Sequence, residues 1–203
     1  MHFENLKMLY VFSCVALCLT ILSPALISLI YPSSVAETGE EYSEMWILGL
    51  DHTIGDFPLV VSANEAYRIY LGASNHLGEM GYYSIRVKLR NQVEPSADII
   101  DGLPSPLQMV FEYQFFLNDD ETWEKECYFS FDQVSFEGNV STVSRLSIDG
   151  HSLDVNKVAV RDDENNGFYY QLFFELWLYN AASPGFEFHN RSVGLWINVS
   201  SPL

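Results

Sequence analysis

Residues 167–180 read GFYYQLFFELWLYN, and the spacing of the apolar side chains in this run narrows the fold more than any other feature of the chain. Every second residue from Phe168 gives Phe, Tyr, Leu, Phe, Leu, Leu, whereas the register from Tyr169 gives Tyr, Gln, Phe, Glu, Trp, Tyr. A period of two belongs to an extended chain whose side chains point alternately to opposite faces. The run is too short for a spanning helix, which needs about 20 apolar residues, and Gln171 and Glu175 interrupt it. One oily face and one amphipathic face predict a central strand of a buried sheet.

The same test succeeds along the rest of the body. In YYSIRVKLR, Tyr83, Ile85, Val87 and Leu89 share one face, and Ser84, Arg86, Lys88 and Arg90 share the other. That pattern predicts a strand with one core face and one wet face. Further strands are expected at residues 45–50, 66–74, 109–117, 122–131, 143–148, 152–160 and 192–199. Asp149-Gly150 lies between two apolar runs and carries the residue types of a tight two-residue hairpin. Pro95, Pro104 and Pro106 mark residues 93–106 as the longest loop. No segment of the body keeps a helical period and no internal repeat is present, so the expected fold is all-β: an immunoglobulin-like antiparallel β-sandwich.

Ahead of the body, the chain is charge-free and strongly apolar from Met8 to Tyr31. At about 1.5 Å per residue this length crosses a hydrocarbon layer of about 30 Å as one transmembrane helix, with Pro24 tolerated inside it. Lys7 precedes the run, while Glu37, Glu40, Glu41 and Glu44 follow it. The positive-inside tendency then puts the N-terminus inside and the body outside. Ser34-Val35-Ala36 would suit a signal peptidase, yet the run exceeds the 7–15 or so apolar residues of a cleaved signal, which favours a retained signal-anchor. The expected organisation is a cytoplasmic N-terminus at 1–7, a transmembrane helix at 8–31, a stalk at 32–42 and an extracellular domain at 43–203. Sequons at Asn139, Asn190 and Asn198 are compatible with glycosylation of an exported domain.

Charge and chemistry exclude more than they assign. The 27 acidic and 10 basic residues give a net charge of -17, which repels phosphate backbones and predicts no nucleic-acid partner. The 48% hydrophobic and 15% aromatic content is that of a folded chain. Cys14 and Cys18 lie in the apolar run, and Cys127, in register with Phe129 and Phe131, reads as a small buried hydrophobe. His2, His52, His76, His151 and His189 form no close pair, and no Gly-rich phosphate loop or GxSxG elbow occurs. In DDENNG, Asp162, Glu164 and Asn166 alternate like calcium ligands, but the twelfth loop position is Phe173 and not a Glu; an acidic turn is the simpler reading. Asp119, Asp120, Glu121, Glu124 and Glu126 in NDDETWEKE read as a solvated loop leading into a strand, not as a catalytic pair. No cofactor, metal site or catalytic residue is expected, and the chain does not read as an enzyme. Arg86, Lys88 and Arg90 form a basic stripe whose expected partners are carboxylates across the sheet. Tyr169, Phe173 and Trp177 share the amphipathic face and are the candidate binding face.

An ordered set of motifs resembles archaeal membrane proteins that carry the domain of unknown function numbered 1616. The set comprises SEMWILG (43–49), DFP (56–58), Asn75-His76, VKLRNQ (87–92), ETWE (121–124), ENNGFYYQLFFELW (164–177) and VGLWIN (193–198). The resemblance implies an archaeal envelope protein with a β-rich external domain. It supplies no catalytic residues, because the activity of that family is not established. Longer members carry several spans before the domain and one is expected here, so a role that needs the other spans does not carry over. The function expected is a structural or protein-interaction module of the envelope, tethered to the bilayer; the alternative is an envelope glycan-binding module.

Overall fold

The computed structural model describes residues 41–200, together with Lys7 and Ser13. The expected spanning helix at 8–31, apart from Ser13, and most of the stalk at 32–42 lie outside the described residues. Among the described residues no helix is long and apolar enough to cross a membrane.

Ten strands build the body: β1 (Tyr42–Leu48), β2 (Val60–Ser62), β3 (Tyr67–His76), β4 (Gly81–Arg90), β5 (Phe111–Leu117), β6 (Thr122–Glu137), β7 (Val140–Ile148), β8 (His151–Val160), β9 (Tyr169–Asn180) and β10 (Gly185–Ser200). The first sheet has the order β1-β3-β6-β7-β8 and the second β2-β10-β9-β4-β5. All neighbours are antiparallel except β2 and β10, which run parallel. The body is thus all-β, with two sheets face to face as the alternation requires.

The inner faces are those read from period two. Ile69, Leu71 and Ala73 of β3, with Phe129 and Phe131 of β6, meet Tyr83, Ile85 and Val87 of β4 and Leu172, Phe174 and Leu176 of β9, all buried in one cluster. Each large side chain so buried contributes about 1.5–3 kcal/mol. Phe115 and Trp123 stack almost parallel across the two sheets at 4.3 Å. Cys127 is 1% exposed in the same core, and burial pushes its thiol up to about 12.

Three tyrosines project from the second sheet into the core and hand their hydroxyls to the first. Tyr83 donates to Asn75 Oδ1 at 2.8 Å and contacts Ser43 Oγ at 2.8 Å. Tyr113 donates to Asp149 at 3.0 Å, and Tyr170 lies 2.7 Å from Ser141 Oγ. A buried phenol costs free energy unless its hydroxyl is paired, so these three bonds fix how the sheets align.

Asp149 and Gly150 turn the β7–β8 hairpin with φ of +48° and +80°, as the type I′ signal requires. Two elements were not legible. β2 is three residues long and too short to show a period, and β10 begins at Gly185, not 192, because a register shift between Phe188 and Arg191 breaks its alternation. A second shift, between Val143 and Arg145, absorbs the uneven spacing of the buried Val143, Leu146 and Ile148.

The expectation of a wet face on β4 is corrected. Ser84 and Lys88 are buried, and Arg86 and Arg90 are half-buried. The cause is the connection between β4 and β5, which folds back onto this face: Lys88 Nζ donates to Ser105 O at 2.6 Å and Arg90 to Glu94 O at 2.6 Å. The same connection reaches the edge of the first sheet, where Asn91 and Gln92 side-chain amides donate to Val158 O and Val160 O and Lys157 pairs with Glu94.

Candidate aromatic docking face

Strand register arranges the outer face of the second sheet in transverse rows. One row joins Phe116, Tyr82, Tyr179 and Phe186: Tyr82 faces Phe116 and Tyr179 faces Phe186 in register, and the Tyr82 and Tyr179 rings meet at 5.9 Å. The next joins Gln114, Ser84, Trp177 and Phe188, and the third Glu112, Arg86, Glu175 and Ser192. Beyond them Lys88, Phe173 and Gly194 stand abreast.

The inner rows are closed by charge and packing. Glu175 is fully buried and holds Lys88 Nζ at 2.8 Å, the Ser105 N–H at 2.8 Å and the Trp177 indole N–H at 3.2 Å. Arg86 pairs with Glu112 at 3.4 Å and lies over the Trp177 ring at 3.8 Å. Carboxylates across the sheet thus meet Arg86 and Lys88 as expected, whereas Arg90 is met by the Gln171 side-chain amide and Glu94 O. Phe173 sits opposite Gly194, where a Cβ would come within 2.7 Å of the Phe173 Cβ; only glycine leaves room for that ring.

Of the expected binding face, Phe173 is 2% exposed, while Tyr169 and Trp177 are half-buried. Tyr169 is turned to donate to Asn165 O. The three side chains share a face as the alternation predicts, but Phe173 offers no ring surface to a ligand.

The most exposed ring of this face lies in the end row instead, while Trp196, 36% exposed, stands apart from it beside Arg90. Phe116 is 61% exposed, Tyr179 39% and the neighbouring Met80 63%. Tyr82 stacks on Phe116 at 4.2 Å and meets Phe186 at 5.0 Å, and Tyr179 and Phe186 meet edge to face at 5.5 Å. A depression of about 600 Å3 adjoins this row, lined by Tyr82, Phe116, Tyr179, Glu79, Glu187 and His189, among others. The Glu79 turn is set by the buried Asn75, whose amide donates to the carbonyls of Glu79, Leu117 and Asn118. Ser43 connects Tyr83 to His189, whose Nε2 lies 3.1 Å from Ser43 Oγ. Burial, and then the Arg191 guanidinium, hold His189 below its ordinary value of 6.5. Register between distant strands creates the row, so no local signal in the sequence announces it.

The other candidates are dispersed. Asp162 Oδ1 accepts the Glu164 and Asn165 N–H groups and Oδ2 the Asn165 side-chain amide, and the Asn165 side chain, above all, draws its carboxyl below the usual range. Those bonds make an acidic turn. In the NDDETWEKE segment each carboxylate has its own partners: Asp119 the Gly78 N–H, Asp120 His76, Glu121 Asn118, Glu124 His52 and Glu126 Arg68. Among the described residues no group of three or more His, Cys, Asp or Glu could hold a metal ion. Asn139 is exposed in the β6–β7 turn and Asn190 is exposed at the shift in β10. Asn198 is half-buried, and its Oδ1 accepts the Phe168 N–H. No protein-family model and no curated protein matches the chain.

Proposed function

We propose that the body is an immunoglobulin-like extracellular docking domain, tethered to an archaeal cell membrane by the apolar run at 8–31, which engages another envelope protein through the Phe116–Tyr82–Tyr179–Phe186 row. One observation carries the docking reading. A ring 61% exposed, stacked into a four-strand aromatic row beside a depression, presents contiguous apolar surface of the kind that marks a contact site. The parallel β2–β10 pairing and the crossing from β3 in one sheet to β4 in the other support the immunoglobulin-like assignment. The charge-free run and the acidic segment after it support the tether and its direction, and the ordered motifs support the archaeal family. Asn139 and Asn190, both exposed, are the sequons suited to carry glycans.

The test places a photocrosslinking amino acid at Phe116 and, as control, at the exposed Asn156 in intact cells. A discrete adduct from position 116 that is missing from 156 is expected. Identical adducts at both positions, or none at 116, would refute docking through this face. Protease added to whole cells should degrade the body; a body left intact until lysis would refute the external location.

A further inference from the structure

The structure carries a signal about what the aromatic row binds. Nine of the ten basic residues lie in the described body, and all nine are engaged. Seven pair with carboxylates: Arg68, Arg86, Lys88, Lys125, Arg145, Lys157 and Arg161. Arg90 donates to Gln171 and Glu94 O, and Arg191 to Ser43 O. Only Arg90 and Arg191 lack a carboxylate, so the described body offers an anionic partner, or a second copy of this chain, few cations that are not already paired.

Carboxylates, by contrast, are in surplus at the row. Glu79 is exposed, and its side chain has no cation and no hydrogen-bond donor among the described residues. Glu187 lines the same depression; it is exposed and bonded only to Asn180 and Ser183 of its own hairpin, bonds that keep its carboxyl below the usual range and hence ionised. One row inward the protein already sets a guanidinium against this kind of surface, with Arg86 3.8 Å from the Trp177 ring centroid. Phe116 and Tyr179 have no such cation of their own among the described residues.

We propose that the row receives a cationic segment of a partner protein, its arginine or lysine side chains lying over Phe116 and Tyr179 with their charges toward Glu79 and Glu187. This rests on the docking reading above and names the chemistry of the partner. Cation and ring attract through the ring quadrupole, more strongly as water is excluded, and the two carboxylates add charge-assisted bonds.

The experiment uses the full chain in mild detergent and three probes: a ten-residue peptide alternating arginine and serine, the same peptide with neutral citrulline for arginine, and a linear glucose pentasaccharide. Binding is followed by calorimetric titration. The arginine peptide is expected to bind, the citrulline peptide at least about 10-fold more weakly, and binding should weaken as salt rises from about 0.05 to 0.5 M. Glu79→Gln disturbs no hydrogen bond of the fold and should weaken binding several-fold; Glu79→Gln with Glu187→Gln, or Phe116→Ala, should weaken it about 10-fold or more. Equal binding of both peptides, preferential binding of the saccharide, no binding of the arginine peptide, or an unchanged double variant would overturn the proposal. The crosslink at position 116 separates the two readings. An adduct that persists undiminished in the Glu79→Gln, Glu187→Gln variant sinks the cationic partner and spares docking, and no adduct in the parent sinks both.

Discussion

Replacing Glu175 by Ala should be among the most damaging single substitutions in the body. The carboxylate is 0% exposed and its partner Lys88 is 5% exposed. Its loss strands an ammonium that keeps only Ser105 O as acceptor and removes the acceptor of the Ser105 N–H. Breaking a buried pair from one side costs about 3–5 kcal/mol, because a charge remains in a dry site. For a domain of this size that lowers Tm by about 6–20 °C. The double variant Lys88→Met, Glu175→Leu removes both charges. What remains unpaired is the Ser105 N–H and C=O and the Trp177 indole N–H, at about 1–3 kcal/mol for each group. The single variant orphans both N–H groups as well and keeps a buried charge, so the double change should cost less than the single one. Thermal unfolding followed by near-UV circular dichroism measures both. A Glu175→Ala cost below about 1 kcal/mol, or a double variant no more stable than the single, would show that the pair does not anchor the β4–β5 connection as reasoned.

Other expectations follow from the same geometry. Gly72→Ala would bring a Cβ within 2.2 Å of the Trp46 indole; it should destabilise by about 1–3 kcal/mol, and Trp46→Ala should relieve most of that in a double-mutant cycle by denaturant titration. Because His189 is held below 6.5, its contribution to stability is complete above about pH 6.5 and is lost as pH falls toward the lowered folded value. His189→Gln should flatten that part of a stability-against-pH curve, and an unchanged slope would count against it. Cys127, buried and with its thiol pushed up to about 12, should resist iodoacetamide in the folded chain and react only on unfolding, as read by peptide mass spectrometry. On the proposed external location, Asn139→Gln and Asn190→Gln should each remove a glycan from the protein purified from its native cells, whereas Asn198→Gln should leave the mass of the attached glycans unchanged.

The inner faces were legible because period two depends only on neighbours along one strand. Tyr83, Ile85, Val87 and Leu89 must face the same way whatever lies opposite. The outer face was not, because Arg86 and Lys88 alternate identically under water or under a folded-back loop. What covers Lys88 is the backbone of Ser105, which leaves no trace in side-chain pattern, and Arg86 lies against Glu112 and the Trp177 ring. Tyr83, Tyr113 and Tyr170 read simply as core, since the partners of their hydroxyls lie on the other sheet. The candidate site was missed for a related reason. Phe116, Tyr82, Tyr179 and Phe186 become neighbours only through the register of four strands, and the hairpin joining the last two is masked by the shift at Phe188. Tyr169, Phe173 and Trp177 share one face of a single strand, and that alternation is a weaker guide to an exposed surface than lateral register.

The amide side chains of Asn91 and Gln92 end on Val158 O and Val160 O, and these two bonds do more than fasten a loop. Val158 and Val160 are exposed apolar residues on a border strand, the arrangement from which sheets recruit foreign strands. By filling those acceptors from within the same chain, the protein seals a stretch of its margin suited to growing into a continuous ribbon. Shortening both side chains to alanine should leave the monomer folded yet prone to fibrous self-association.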